Sequence, residues 1–202
     1  MGYLIAIILD LPWIILGLVF HEFCHAWAAN RLGDPNPKLE GRLSLNPLVH
    51  IDILGLLALI LLKVGWAKPV QINLRYFKEP MKGMLQVSLA GPVGNFILAV
   101  LFAIIIRLMS SIGLNKQFIS YLYNGLWYTV MLGFFNLIPI PPLDGSKVLR
   151  YFLHGSIAYY FERYENLGLI ILLLLLIFDG FSRGLYALVT GCSSFLAGQM
   201  PF

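Results

Sequence analysis

Charge is scarce in this 202-residue chain: Asp, Glu, Lys and Arg make up 12% of it, against about a quarter in soluble domains. Hydrophobic residues reach 59% and the mean hydropathy is +0.80. These values exclude an ordinary soluble globule and point to a membrane protein. Cysteine is nearly absent. Cys24 and Cys192 cannot build a disulfide framework, and Cys24 sits in an apolar run where packing is its expected role. No basic face exists either. The net charge of +4 is spread over many short loops, which excludes a nucleic-acid footprint and leaves the positive-inside rule without a usable orientation. The N-terminus has no basic n-region and no small-residue cleavage site, so its first apolar segment is expected to stay as a membrane helix. There is no repeat, no low-complexity linker and no loop long enough for a second soluble domain. The expectation is one integral-membrane domain over residues 1–202, with a motif-bearing core at 11–149 and C-terminal helices at 150–202.

What is present is a series of apolar stretches. The first covers residues 3–29, interrupted by Asp10 and Pro12. Asp suits a helix cap and Pro the first turn, which predicts a short lead-in to Leu9 and a helix over 11–32. Gly33-Asp34-Pro35 stops it. Leu39, Gly41, Leu43 and Leu45 then alternate with Lys38, Glu40, Arg42 and Ser44, a period of two that predicts a strand or hairpin. Residues 51–64 are apolar but short for a full span. Residues 70–76 alternate strictly and read as a strand. Further spans are expected over 84–108, kinked near Gly91-Pro92, over 118–140, and over 167–177, with a shorter helix from 145 toward 157. The fold class that emerges is an all-α polytopic membrane protein. It has about five transmembrane helices, each needing roughly 20 apolar residues, with short strand-like loops at the membrane.

Chemistry concentrates in His21-Glu22-Phe23-Cys24-His25. Residues four apart share a helix face, so both imidazoles can address one metal ion. Zinc takes about four ligands, and a catalytic site leaves one position open. Glu22 stands beside such a site and suits a general base that takes a proton from the attacking water and returns it to the leaving amine. Two histidines and a glutamate inside an apolar span are costly without a function. The bland alternative is a buried hydrogen-bonded cluster without metal.

A third ligand is needed. His50, Asp52, Asp144, His154 and Asp179 are the candidates near apolar segments. Asp144 stands out, because it follows the break Pro139-Ile140-Pro141-Pro142. Broken helices at membrane depth are tolerated where protein shields them or where they line a cavity. Capping the next helix is the structural alternative for Asp144. His50 and His154 read as interfacial residues and Asp179 as a helix-end residue.

Three motifs in this order resemble the site-2 protease family of intramembrane zinc metalloproteases: His21-Glu22-Phe23-Cys24-His25, Ala90-Gly91-Pro92-Val93-Gly94-Asn95, and Asn136-Leu137-Ile138-Pro139-Ile140-Pro141-Pro142-Leu143-Asp144-Gly145. The stretches Arg31-Leu32-Gly33-Asp34-Pro35, Gly41-Arg42-Leu43-Ser44-Leu45-Asn46-Pro47 and Gly65-Trp66-Ala67-Lys68-Pro69-Val70 are similar to its compact prokaryotic branch. The resemblance covers residues 11–149. It implies Zn2+ held by His21, His25 and Asp144, with Glu22 as base. It also implies a place for Asn95 near the metal, binding substrate or the developing oxyanion; a helix–helix hydrogen bond is the other reading of Asn95. The implied partners are the lipid bilayer and membrane-protein substrates with a transmembrane segment, in a prokaryotic cell membrane. The chain departs from some members in carrying no PDZ or CBS domain and no recognisable helix ahead of the one bearing His21. Two rival classes stand beside this reading. A membrane metal transporter predicts several sites strung across the bilayer, and a non-catalytic scaffold is expected to have lost Glu22 or a ligand.

Overall fold

The computed structural model describes residues 2–62 and 65–198. The described residues are helical with no named strand. α1 (Gly2–Arg31) leads to a short α2 (Asn36–Leu39), then α3 (Ile53–Leu62), α4 (Pro80–Ser111) and α5 (Lys116–Asn136). α6 (Asp144–Phe152), α7 (Gly155–Arg163), α8 (Gly168–Ile177) and α9 (Asp179–Ala197) follow. α4 is the central helix, packed against α1, α5, α6 and α9. Ala99, Phe102, Ala103 and Ile106 of α4, Leu122, Leu126 and Val130 of α5, and Val189 of α9 form the main core.

Among the described residues two helices are long and apolar enough to cross a membrane, Ile7–Arg31 of α1 and Pro80–Ser111. A third crossing exists if the segments Glu165–Ile177 and Asp179–Ala197, bent by 82°, act as one. The segment expected to be a mixed tail after residue 177 is thus the 19-residue helix α9. Its apolar side carries Leu185, Val189, Cys192 and Leu196 against the core, a helical spacing that Asp179 and Arg183 obscure at its start.

α1 begins well before residue 11 and keeps Pro12 in its interior. Asp10 is no cap. Its carboxylate accepts hydrogen bonds from Asn124 Nδ2 at 3.0 Å and the Tyr128 hydroxyl at 2.9 Å, both on α5. Tertiary partners satisfy it, so the helix has no reason to start there. α4 likewise runs unbroken through Pro92.

The two expected strands do not form. Around residues 38–45 burial does not follow the alternation, since Lys38, Leu39, Glu40 and Gly41 are all exposed. Leu39 is 80% exposed while Arg42 is 3% exposed. Arg42 donates through Nη1 to Val49 O at 2.6 Å and to Lys68 O at 3.0 Å, and through Nη2 to Pro69 O at 3.4 Å. A guanidinium with this many carbonyl acceptors is satisfied without water. Arg42 therefore ties the two ends of the segment containing α3. An Ile51–Ala67 bridge and the Lys68 N–His50 O hydrogen bond at 2.8 Å close the same neck. The 10-residue α3 between these ends is not among the helices long and apolar enough to cross a membrane; residues 63 and 64, at the end of the expected 51–64 stretch, lie outside the described residues. Residues 70–73 join no strand ladder, and Asn73, itself extended, turns the chain into a 3-10 turn at Leu74–Tyr76 by accepting from Arg75 N. The Asp34 carboxylate, fully buried, accepts from Asn73 N at 2.7 Å and fixes this segment beside the end of α1.

Candidate metal centre

His21 and His25 lie one turn apart on α1, with ring centroids 4.5 Å apart and planes nearly perpendicular. Asp144 arrives from the other end of the sequence. α5 stops at Asn136, and the chain from 137 to 143 is non-helical. Asp144 opens α6, with Leu143 rather than Asp144 at the cap position. Its neighbour must be glycine, because a Cβ at residue 145 would run into the Leu137 carbonyl. All three side chains are buried, and their ligand atoms form one compact group.

The hydrogen bonds place one proton on each ring. His21 Nδ1 is 2.7 Å from Asn95 Oδ1, and His25 Nδ1 is 2.7 Å from Val87 O. Both partners are acceptors, so each Nδ1 carries the proton. In a neutral imidazole each Nε2 then holds a lone pair. The two Nε2 atoms face one another at 2.9 Å, and each stands 3.0 Å from Asp144 Oδ2. Three lone pairs in mutual contact repel, and a cation among them converts that repulsion into binding. Zinc bonds of about 2.0–2.2 Å in tetrahedral array separate ligand atoms by roughly 3.3 Å, so a few tenths of an ångström of opening accommodates the ion. The residues fit zinc, and the Nδ1 bonds are the orienting contacts that metal-ligating histidines need.

α4 shapes the site from behind. A Cβ at Gly91 would lie 2.5 Å from His25 Nε2 and 2.6 Å from His21 Nε2. Only glycine lets this helix come so close. Asn95 is fully buried. Its Oδ1 accepts from His21 and its Nδ2 donates to Gly17 O at 3.3 Å.

In front lies a cavity of about 140 Å³ lined by His21, Glu22, His25, Asn136, Asp144 and Lys147, among others. Glu22 Oε2 accepts from Val70 N at 3.3 Å, so the clamped 68–73 segment holds this carboxylate at the cavity. Lys147 Nζ is 3.6 Å from Asp144 Oδ1, the oxygen turned away from the histidines. The other candidate ligands lie elsewhere. His50 is fully buried and donates from Nε2 to Ser44 O at 2.7 Å. Asp52 caps α3, accepting from Leu54 N at 2.8 Å. Asp179 pairs with Arg183 at 2.9 Å, and His154 is exposed. Motif reading gave no hint of the Val87 carbonyl or the Val70 amide, because backbone groups carry no sequence signature.

An all-helical chain with membrane-length apolar helices and a buried His, His, Asp group beside a glutamate defines a metallopeptidase of the membrane. The profile of Peptidase family M50 matches residues 109–178, the part holding Asp144. "Putative zinc metalloprotease YwhC" of Bacillus subtilis (strain 168) is 33% identical over 182 residues, 83% of this chain and 81% of that protein. "Putative zinc metalloprotease Rip2" of Mycolicibacterium smegmatis is 32% identical over 216 residues, 97% of this chain and 79% of that one. Zinc metalloprotease MJ0392 of Methanocaldococcus jannaschii is 27% identical over 72% of this chain and 34% of its own length. No solved structure matches. The chain belongs to peptidase family M50, the site-2 protease family of membrane zinc metalloproteases.

Proposed function

We propose that this chain, acting as a single domain, hydrolyses peptide bonds within or next to transmembrane segments of other membrane proteins. His21, His25 and Asp144 hold zinc and Glu22 is the base. The observation that carries this reading is the convergence of two Nε2 lone pairs and one carboxylate oxygen on a single point. That point is deep. His21 lies ten residues (31 − 21) inside the Arg31 end of its span, about 15 Å at 1.5 Å per residue, half the thickness of a roughly 30 Å hydrocarbon core. α5, packed against α1 and α4, is a further span in this reading. Together with the bent α8–α9 pair it gives four, with α3 a half-entry. The bacterial and archaeal relatives support a prokaryotic cell membrane.

Zinc, when bound, supplies a Lewis acid and lowers the pKa of water toward 7. The chain does the rest. Glu22, held by the Val70 amide, takes a proton from the attacking water and delivers it to the departing amine. Asn95 and the Val87 carbonyl keep both histidines in the ligating tautomer. The transporter reading loses ground, since the described residues hold one converging ligand group rather than a path of them.

Wild type and Glu22→Gln expressed in the same cells test the proposal through their membrane-protein fragments, read by mass spectrometry. New ends inside hydrophobic segments are expected with wild type. Glu22→Gln is expected to lower their yield by at least about 100-fold, and a chelator to remove them. Identical fragment profiles at matched expression would sink the protease reading.

A substrate helix hides its carbonyls and must unwind to be cut. Ile72 lines the cavity, and the backbone of Gln71 and Ile72 makes no hydrogen bond among the described residues. An extended substrate can pair there as an added strand. Ile72→Pro removes one amide donor and is expected to slow release of the same fragments several-fold with zinc content unchanged. Undiminished cleavage by a folded Ile72→Pro protein would remove the pairing role.

A further inference from the structure

Ser88 lines the same cavity as His21, Glu22 and His25. It is 1% exposed, yet its Oγ has no hydrogen-bond partner among the described residues. Buried hydroxyls in helices ordinarily bond back to the carbonyl four residues earlier, as Thr129 does to Gly125 O at 2.7 Å. Ser88 does not. Its position on α4 explains what it faces. Ser88, Gly91 and Asn95 share one helix face, and Gly91 lies against both Nε2 atoms. Ser88 is therefore one turn, about 4.5 Å, along α4 from the ligand group. It is also next to Val87, whose carbonyl holds His25.

Attack on a peptide carbonyl builds negative charge on its oxygen, and a donor already aimed at that charge in a water-poor cavity speeds the step. The other polar side chains at the cavity already have protein partners, whereas Ser88 Oγ has none among the described residues. Asn95 spends both side-chain polar atoms on His21 and Gly17 and is fully buried. Asn136 Nδ2 donates to Leu132 O at 3.0 Å, Lys147 pairs with Asp144, and the Val70 amide holds Glu22. We propose that the Ser88 hydroxyl is a further catalytic residue, donating a hydrogen bond to the scissile carbonyl oxygen as it becomes charged. This rests on the protease reading above.

The test uses full-length, zinc-loaded protein in lipid nanodiscs with fluorescein-labelled casein, an unstructured chain that needs no unwinding. Ser88→Ala is expected to lower kcat about 100-fold with KM within two-fold of wild type and zinc content unchanged. Ser88→Thr, which keeps the hydroxyl, is expected to restore most of the rate. An unchanged kcat in Ser88→Ala overturns the inference. So does a loss of zinc or of thermal stability in that variant, since the hydroxyl would then be structural. If wild type cuts casein no faster than Glu22→Gln, the protease reading fails and the Ser88 role falls with it; if wild type cuts and Glu22→Gln does not, only Ser88 is at issue.

Discussion

Gly91→Ala is expected to empty the metal site and abolish cleavage in a protein that still inserts and folds. The added methyl would stand 2.5 and 2.6 Å from the two ligating nitrogens, far inside van der Waals contact. Neither ring can retreat. His21 is fixed through Asn95, and His25 through the Val87 carbonyl, which belongs to the same helix that carries the new methyl. Relief must come from α1 and α4 moving apart, at an overpacking cost of about 1–3 kcal/mol. That is small against the many contacts between these helices but large for a metal site, where misplaced ligands typically cost 10–100-fold in affinity. Zinc per chain, measured by mass spectrometry on protein dialysed against a weak chelator, should fall at least ten-fold, with cleavage falling in parallel and helicity by circular dichroism unchanged. Gly94→Ala is the control. Its methyl would meet the Cys24 thiol and stand 3.1 Å from Cys24 Cβ, pressing on the same pair of helices but on neither imidazole, so zinc should be retained. A Gly91→Ala protein that holds one zinc and cleaves normally would contradict this placement of α4.

The convergence of His21, His25 and Asp144 was legible in the sequence because it rests on two robust signals. Helical spacing puts His21 and His25 on one face, and ionisable groups inside an apolar run demand a purpose. Asp144 was legible from the proline break that frees the chain before it. Other parts were hidden for physical reasons. The strand expected at 38–45 failed because a buried arginine with backbone partners breaks the link between polarity and exposure on which the pattern rests. Leu39 points out, and Arg42 points in to serve three carbonyls. The start of α1 was misplaced because Asp10 and Pro12 imitate a cap and first turn, while the actual partners of Asp10 lie more than a hundred residues away on α5. Asn95 was singled out as a motif residue, but which of its neighbours it serves depends on the approach of α4 to α1, which the Gly91 contact sets. Ser88 carries no signal at all in sequence; only its buried, unpaired hydroxyl marks it.

Asp144→Asn should remove the stability that zinc adds. In the metal-free protein Asp144 Oδ2 stands 3.0 Å from both Nε2 atoms, and a proton on either ring nitrogen joins ring and carboxylate as an ion pair. An asparagine of the same shape can hydrogen-bond there but carries no charge. Chelator-treated Asp144→Asn should therefore unfold no higher than chelator-treated wild type. Adding zinc widens the gap. Wild type gains RT ln(1 + [Zn]/Kd), about 4 kcal/mol at a thousand times Kd. The variant has exchanged an anionic ligand for a neutral amide and should gain little and cleave nothing. The measurement is the Tm of both proteins in lipid nanodiscs, with and without zinc, followed by zinc stoichiometry after dialysis. A histidine cluster that merely uses Asp144 as a hydrogen-bond partner would give wild type no zinc-dependent rise. A metal site built without Asp144 would give both proteins the same rise. Only a site in which this carboxylate binds the ion directly gives wild type a rise that the variant lacks.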